Sequence, residues 1–239
     1  MATAKRKPKP STKVAAPFEG DGRFRFDPDV AVAHLRAKDA ALRKLIDTVG
    51  PFRMELRPTS NLFAALARAI AYQQLHGRAA ATIFARVEAL FPPGQGLAPE
   101  AMAHIGDEKL RGAGLSRNKL LALRDLAQKA IDGTIPSLAE TFAMSDEEII
   151  ERLVAVRGIG RWSAEMLLMF GLGRPDVWPI DDFGIRAGFA LTFKKPNPTK
   201  DALLKRAERW RPYRSVASWY LWRAAERAPR TAAPARPIR

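Results

Sequence analysis

The chain has 239 residues, of which 47% are hydrophobic, and its 40 Lys and Arg residues outnumber 25 Asp and Glu residues to give a formal net charge of +15. So basic a protein favours a polyanionic partner, either nucleic acid or an anionic membrane surface. The absence of cysteine excludes disulfides, thiolate zinc sites and cysteine-bound iron–sulfur clusters.

The hydropathy of the chain argues against a membrane-spanning segment and a secretory signal. No apolar run approaches the ~20 residues that span a bilayer. The N-terminus has charge but lacks the apolar run of a secretory signal. We therefore expect an intracellular protein, cytoplasmic or nucleoid-associated in a bacterium and nuclear in a eukaryote.

Two basic tails enclose one folded region. Residues 1–17 and 229–239 are rich in Lys, Arg, Pro and Ala, and we expect both to be disordered. A solvated tail without function and a loose cationic arm remain alternative interpretations of each. Residues 18–228 are left for a single folded domain.

Within that domain the hydrophobic pattern is helical and predicts an all-α fold. Apolar residues recur at spacings of three and four in nine segments, namely 28–50, 61–75, 79–91, 118–133, 145–156, 161–173, 182–193, 199–210 and 213–226. Ser145 followed by Glu148 is a capping-box signature, and Gly133 is a typical helix stop. The one hint of a strand, residues 52–58, is too short to define a sheet.

A glycine turn, Gly158-Ile159-Gly160, separates two of these helical segments. Glycine permits positive φ, and bare N–H groups at the start of the next helix can bind a phosphate oxygen. Arg157 and Arg161 flank the turn and would add charge. A plain turn between two helices, with glycine as a C-cap, is the alternative, but the basic charge of the chain favours DNA-backbone binding.

Two adjacent aspartates, Asp181 and Asp182, follow the turn. Twenty residues separate Trp162 from Asp182, enough for one helix, a loop and the start of the next helix. Pro175 and Pro179 lie in that loop, so the pair should stand at a helix N-terminus, where carboxylates are favoured. One aspartate can serve as the N-cap, which leaves the other for a different task; the spacing does not say which.

The segment "VRGIGRWSAEMLL…VWPIDDFGIR" resembles the signature of the helix-hairpin-helix DNA glycosylases, and most closely the alkylation-repair DNA-3-methyladenine glycosylase II group. The likeness covers roughly residues 61–226 and lacks the N-terminal mixed-sheet domain of some members. It implies two helical subdomains flanking an active-site cleft. One lobe would span about residues 60–180, and the other would combine the N-terminal helices with residues 181–228.

The activity that this resemblance implies is that of a monofunctional DNA glycosylase. Such an enzyme, expected to act as a monomer, flips an alkylated purine of the 3-methyladenine or 7-methylguanine type out of double-stranded DNA and hydrolyses its N-glycosidic bond. By the same resemblance Asp182 is catalytic, which leaves Asp181 as the candidate for a structural or positioning role. Bifunctional relatives carry a Schiff-base lysine where this chain has Trp162, and therefore no lyase activity is expected.

The remaining site residues also follow from the resemblance. The pocket aromatics would be Trp162, Trp222 and Phe183, with Met166 where some relatives have an aromatic ring, while Trp178 and Trp219 are as readily core. The expected DNA contacts are Gly158, Gly160, Arg157, Arg161 and Ser163 at the hairpin, Leu75 or His76 as a wedge, and Arg117 and Lys119 in the turn 114–119. No cofactor is required, but the backbone carbonyls of Val154, Val156 and Ile159 would hold Na⁺ or K⁺.

Two other functions remain open. One is a non-catalytic helix-hairpin-helix module that binds damaged or bent DNA, against which Asp182 argues. The other is a glycosylase for oxidised or mismatched bases, which Trp162 disfavours.

Overall fold

The described part of the chain is built from α-helices joined by loops. The structure, a computed structural model, describes residues 23–227 except 58, 60 and 76, so both predicted tails lie outside it. The helices within this part are α1 (Pro28–Lys38), α2 (Ala40–Val49), α3 (Leu62–Tyr72), α4 (Gly77–Glu88), α5 (Pro99–His104), α6 (Asp107–Gly112), α7 (Arg117–Ile131), α8 (Asp146–Val154), α9 (Arg161–Phe170), α10 (Phe183–Phe193), α11 (Lys200–Ala207) and α12 (Arg214–Arg227).

The all-α prediction is confirmed, since no strand occurs among the described residues. Short 3-10 turns at Glu140–Phe142 and Glu208–Trp210 complete the regular structure. None of the helices in the described ranges combines the length and apolar character needed to cross a bilayer.

Side-chain caps explain where several helices begin. The predicted capping box of α8 is present: Glu148 N donates to Ser145 Oγ at 3.3 Å, and Ser145 N donates to Glu148 Oε2 at 2.6 Å. The periodic segment 28–50 folds as two helices because Asp39 adopts an extended backbone and caps α2. The pattern did not predict α5 and α6, which have six residues each and are too short to show periodicity.

The helices pack in two groups around one continuous hydrophobic core. α3, α5 and α6 pack against α7, and α4 packs against α3, while α1, α2 and α10 gather about α12, and α8 pairs with α9. Gly188 permits the close crossing of α10 and α12, because a Cβ there would stand 2.0 Å from the carbonyl oxygen of Leu221.

A buried ion pair joins the N-terminal helices to the C-terminal ones. Asp39, whose side chain is wholly buried, accepts hydrogen bonds from Arg206 Nε and Nη2 at 2.8 Å each. Trp210 Nε1 adds a third at 3.2 Å. Burial alone would raise the pKa of Asp39, but the hydrogen bonds and charge of Arg206 hold it below its ordinary value.

Candidate active site

The carboxylate of Asp182 lies where α9, α10 and α12 converge. Asp182 is the N-cap of α10, and its Oδ1 accepts the N–H of Ile185 at 2.9 Å. The same oxygen accepts Trp222 Nε1 at 2.7 Å, and Oδ2 accepts Trp162 Nε1 at 2.7 Å. Two of the predicted pocket aromatics therefore meet the predicted catalytic carboxylate through their indole N–H groups.

Aromatic side chains adjoin this carboxylate and remain accessible. Trp162 is 51% exposed and Phe183 is 41% exposed, although both are large apolar residues. Trp222 is partly buried and stacks on Phe170, with ring centroids 5.7 Å apart and an interplanar angle of 23°. Met166, one turn after Trp162 on α9, is also partly buried. Exposed aromatic surface beside a fixed anion suits a flat, electron-poor ligand.

The other two candidate tryptophans belong to the core, in agreement with one of the two interpretations left open. Trp178 and Trp219 are each 7% exposed. Trp178 packs edge-on against Trp210, and Trp219 packs edge-on against Phe52.

The sequence pattern missed two residues that shape the site. Phe170 lies eight residues after Trp162, so both project from one face of α9, and that spacing is a signal that could have identified it. Gly184 gives no such signal. A Cβ at Gly184 would lie 2.6 Å from Cδ1 of Trp222 and 3.1 Å from Oδ1 of Asp182, so glycine makes room for the indole.

The two aspartates do not divide their roles as the sequence suggested. Asp182 itself is the N-cap, whereas Asp181 is exposed and forms an ion pair with Lys200 at 2.5 Å. The expectation that one aspartate caps while the other stays available is therefore corrected, because the N-cap carboxylate is also the one that faces the indoles. Asp181 does not cap the helix, and its expected structural role reduces to a surface ion pair.

The two hairpin glycines differ in conformation. Gly158 has φ +80°, in the region that favours glycine, but Gly160 has φ −93°, which any residue can adopt. The expected positive φ thus holds at Gly158 alone. As the N-cap of α9, Gly160 offers no side chain, whereas Ser116, Ser145, Asp182 and Thr199 cap α7, α8, α10 and α11. The first N–H groups of α9 are therefore left without a side-chain cap, and an anionic oxygen suits them.

Side chains from the helix group around α7 fix the hairpin turn. Gln73 Nε2 donates to the carbonyl oxygen of Gly158 at 2.8 Å. Asp125 Oδ2 accepts the N–H of Arg157 at 2.7 Å, and Lys129 pairs with the same carboxylate at 2.7 Å. Burial raises the pKa of Asp125, but these hydrogen bonds outweigh it and the net shift is downward. The sequence pattern does not distinguish Gln73 from ordinary helix surface and gives no signal for Asp125.

Two of the residues expected to contact DNA have partners within the protein. Arg161 donates through Nη1 and Nη2 to both carboxylate oxygens of Glu147, at 2.6 and 2.7 Å, and through Nε to Glu165 at 3.1 Å. Lys119 Nζ donates to the carbonyl oxygen of Ala71 at 2.7 Å, near the end of α3. Both side chains are therefore hydrogen-bonded within the protein in the absence of DNA.

The other expected contacts are placed as follows. Arg157 is exposed, and its side chain forms no ion pair with the described ranges of the chain. Arg117 is exposed at the start of α7, Ser163 lies in the first turn of α9, and Leu75 is exposed after Gln74, whose φ is +57°. His76 lies outside the described residues. These roles in DNA binding stay predictions.

A charged cavity of about 580 Å³ lies beside α9, and its lining includes Arg161 and Glu165 but none of the aromatics around Asp182. Glu165 is 4% exposed, and burial raises its pKa to about 7 despite the neighbouring guanidinium of Arg161. The cavity is therefore lined by ion-paired side chains and does not suit a flat base.

The hairpin carbonyls fit a monovalent cation chemically. Val154 is the last residue of α8, where carbonyl groups lack helical partners, and Val156 O accepts one N–H, from Ile159, at 3.0 Å. Each carbonyl oxygen has two lone pairs, so Val156 retains one for a ligand. Among the described residues no cluster of His, Asp or Glu could hold a metal ion.

Comparison with known proteins agrees with this geometry. Residues 67–212 match the HhH-GPD superfamily of base excision DNA repair proteins. DNA-3-methyladenine glycosylase 1 of Schizosaccharomyces pombe is 40% identical over 212 residues, which cover 87% of this chain and 91% of that protein. DNA-3-methyladenine glycosylase of Saccharomyces cerevisiae is 30% identical over 256 aligned positions, covering 89% of this chain and 85% of that protein.

Solved structures lead to the same group. Schizosaccharomyces pombe 3-methyladenine DNA glycosylase (Mag1) in complex with abasic DNA matches with a TM-score of 0.69 and 40% identity, covering 81% of this chain and 95% of that one. DNA-3-methyladenine glycosidase from Bacillus halodurans matches with a TM-score of 0.76 and 34% identity, covering 88% and 92%. The resemblance carried by the hairpin and the paired aspartates is confirmed, and the chain belongs to the HhH-GPD superfamily of base excision DNA repair proteins.

Proposed function

We propose that this protein is a monofunctional DNA glycosylase that excises alkylated purines of the 3-methyladenine and 7-methylguanine type from double-stranded DNA. The observation that carries the proposal is the Asp182 carboxylate, fixed at the N-terminus of α10 and bounded by the indoles of Trp162 and Trp222 at 2.7 Å each. The relatives named DNA-3-methyladenine glycosylase, 40% and 30% identical, support the choice of lesion.

The chemistry needs a fixed anion and little else. When the bond between C1′ and the base nitrogen breaks, its electron pair leaves with the base, and positive charge develops on the deoxyribose. The carboxylate of Asp182 would stabilise that charge electrostatically. A water oxygen then bonds to C1′ and releases its proton, which the carboxylate can accept and pass to solvent. An abasic site and the free base are the products.

The aromatic surface accounts for selectivity toward alkylated purines. A purine methylated at N3 or N7 carries a positive charge, and aromatic ring faces attract cations. Trp162 and Phe183 present accessible aromatic surface next to Asp182, on which such a base would stack after it is flipped from the duplex. The charge also makes the base a good leaving group, so binding and extraction account for most of the selectivity.

DNA binding would centre on the hairpin. The uncapped N-terminus of α9 and the exposed Arg157 suit a phosphate group, and Gln73 and Asp125 hold the turn in place. A Na⁺ or K⁺ ion on the carbonyls of Val154, Val156 and Ile159 would add positive charge next to that phosphate. We propose that no lyase step follows, because the residue after Arg161 is a tryptophan and cannot form a Schiff base.

The test is excision from duplexes that contain one 7-methylguanine or one 1,N6-ethenoadenine. Alkali after the reaction should reveal abasic sites, while strand cleavage before alkali would refute the monofunctional assignment. Asp182→Asn should lower the single-turnover rate at least ~100-fold and retain DNA binding, because it removes the charge at nearly constant shape. Failure of the wild type to release any alkylated base would instead favour the non-catalytic DNA-binding module.

The neighbouring aspartate provides a matched control. Asp181 is an exposed carboxylate one residue away, paired with Lys200 and not with an indole. Asp181→Asn should therefore excise at a rate close to that of the wild type. If Asp181→Asn proved the more damaging substitution in a folded protein, the assignment of Asp182 would be wrong.

A further inference from the structure

The two oxygens of the Asp182 carboxylate are engaged differently. Oδ1 accepts two hydrogen bonds, from the backbone N–H of Ile185 and from the indole of Trp222. Oδ2 accepts one, from the indole of Trp162. Since a carboxylate oxygen offers about two lone pairs, Oδ1 is saturated, and Oδ2 has the remaining capacity to accept.

The two indoles also differ in how firmly they are held. Trp222 is partly buried, stacks on Phe170 and lies over Gly184, whose missing side chain makes room for it. Trp162 is half exposed and lies in the first turn of α9, directly after the hairpin turn. An exposed side chain changes rotamer far more readily than one packed against rings and backbone.

The two oxygens of the Asp182 carboxylate therefore face donors of different mobility. Oδ1 points toward the fixed donors, and Oδ2 points toward the movable one. Oδ2 keeps one free lone pair while Trp162 is bound, and both of its lone pairs become available to a sugar or a water molecule only when Trp162 releases it. While the bond lasts, the N–H donor also offsets part of the negative charge that would act on the sugar.

On the basis of the proposed glycosylase function, we propose that Trp162 and Trp222 are positioning residues through their indole N–H groups as well as their ring faces. Trp222 orients Oδ1 throughout the reaction. Trp162 covers Oδ2 in the DNA-free protein and releases it when the flipped nucleotide enters. The uncovered oxygen then faces the deoxyribose and accepts the proton that the attacking water loses on bonding to C1′.

A spectroscopic test follows the hydrogen bonds directly. The chain has five tryptophans, so a ¹⁵N-labelled sample gives a small set of indole N–H signals, and Trp162→Phe and Trp222→Phe assign the two of interest. In the DNA-free protein Asp182→Asn should shift both signals. A duplex with a tetrahydrofuran abasic-site analogue should shift the Trp162 signal to the position of an indole released from a carboxylate and leave the Trp222 signal hydrogen-bonded.

The same two variants separate the roles in kinetics, because Phe keeps an aromatic ring and removes the N–H donor. Trp222→Phe should lower the single-turnover excision rate about tenfold, the usual effect of losing one orienting hydrogen bond. Trp162→Phe should raise it about threefold, since no hydrogen bond then has to break before the sugar approaches.

Specific results would overturn this proposal. A Trp162→Phe rate equal to or below that of the wild type, or a Trp162 signal that the abasic duplex leaves unmoved, contradicts release of Oδ2. A Trp222→Phe rate equal to that of the wild type contradicts the orienting role. If neither the wild type nor the two tryptophan variants released any base, the proposed function would fail. The DNA-free spectra of the wild type and Asp182→Asn would still show whether both hydrogen bonds exist.

Discussion

At the scale of single residues, Asp182 caps a helix, and in the proposed reaction the same carboxylate would also supply the catalytic charge. The Oδ1 atom of Asp182 caps α10 through the N–H of Ile185, which fixes the carboxylate relative to the helix. In the DNA-free protein the indoles of Trp162 and Trp222 also fix its rotation, from two other helices. A charge that is to act on a transition state has to be held in place before the reaction, and capping achieves this at no additional cost in side chains.

Gly184 should matter more than its size suggests. A Cβ at this position would stand 2.6 Å from Cδ1 of Trp222, so Gly184→Ala should push the indole away from Asp182. Because the obstacle is a side chain that can move, the variant should fold with a loss of roughly 1–2 kcal/mol of stability. Single-turnover excision should fall at least ~10-fold, measured alongside thermal unfolding.

Gly112 provides the control for that substitution. It lies in α6, where a Cβ would meet no atom within 4 Å. Gly112→Ala should leave excision unchanged and should not lower the melting temperature, since alanine favours helix over glycine. Normal excision by Gly184→Ala would show that the position of Trp222 is not what sustains the reaction.

At the scale of elements, the hairpin is stabilised by the helix group around α7 and by its own two helices. α8 and α9 pair with each other, but the turn between them is fixed by Gln73 from the end of α3 and by Asp125 from α7. On the opposite side, Glu147 of α8 and Glu165 of α9 hold Arg161. The turn is therefore fixed from both sides before any phosphate binds, so binding does not have to order it.

The buried carboxylate of Glu165 gives α9 a pH-dependent stability. Burial raises its pKa to about 7, so the folded protein holds a proton there that the unfolded chain has released above about pH 4.5. Stability from this group is therefore present at low pH and is lost as the pH rises toward about 7. Glu165→Gln should gain stability relative to the wild type as the pH is raised from about 5 to about 8, measured by thermal unfolding.

Glu147 should show the opposite sign. Its hydrogen bond from Arg161 is the largest influence and lowers its pKa, so its contribution is present above about pH 4.5 and lost as the pH falls through the lowered value. Glu147→Gln should therefore lose stability near neutral pH. For Glu165, a difference in thermal stability between Glu165→Gln and the wild type that stays constant from about pH 5 to about pH 8 would contradict the assigned effect of burial.

Periodicity and caps predicted most of the helices, because both are local properties. The capping box at Ser145 is one example, and the Gly133 stop after α7 is another. The helix break at Asp39 was not predicted because the apolar spacing continues through it. The Asp39 carboxylate is held by Arg206, which is distant in the chain. The hydrogen bonds from the two indoles to Asp182 were not predicted for the same reason. Trp162, Asp182 and Trp222 come into contact only when three helices pack, and no spacing in the sequence indicates that contact.

At the scale of the whole molecule, the N-terminal helices pack against the C-terminal ones. α1 and α2 pack with α10 and α12, so the helix that carries Trp222 rests on the N-terminal helices. The Asp39–Arg206 pair is a buried polar contact that links the start of α2, within this group, to α11. Its loss should therefore affect stability far more than a cap on an exposed helix would.

Removing the Asp39 carboxylate tests that conclusion. Asp39→Ala leaves the Arg206 guanidinium without its buried partner and should cost about 3–5 kcal/mol of unfolding free energy in chemical denaturation. Asp27→Ala is the matched control, because Asp27 caps α1 from an exposed position through the N–H of Asp29 and should cost only about 1 kcal/mol.

Since the pKa of Asp39 lies below its ordinary value of 3.8, the stability that its charge contributes is present above about pH 4 and lost as the pH falls through the lowered pKa. The difference between the wild type and Asp39→Ala should therefore shrink in acid, and equal losses for Asp39→Ala and Asp27→Ala near pH 7 would reduce Asp39 to an ordinary helix cap.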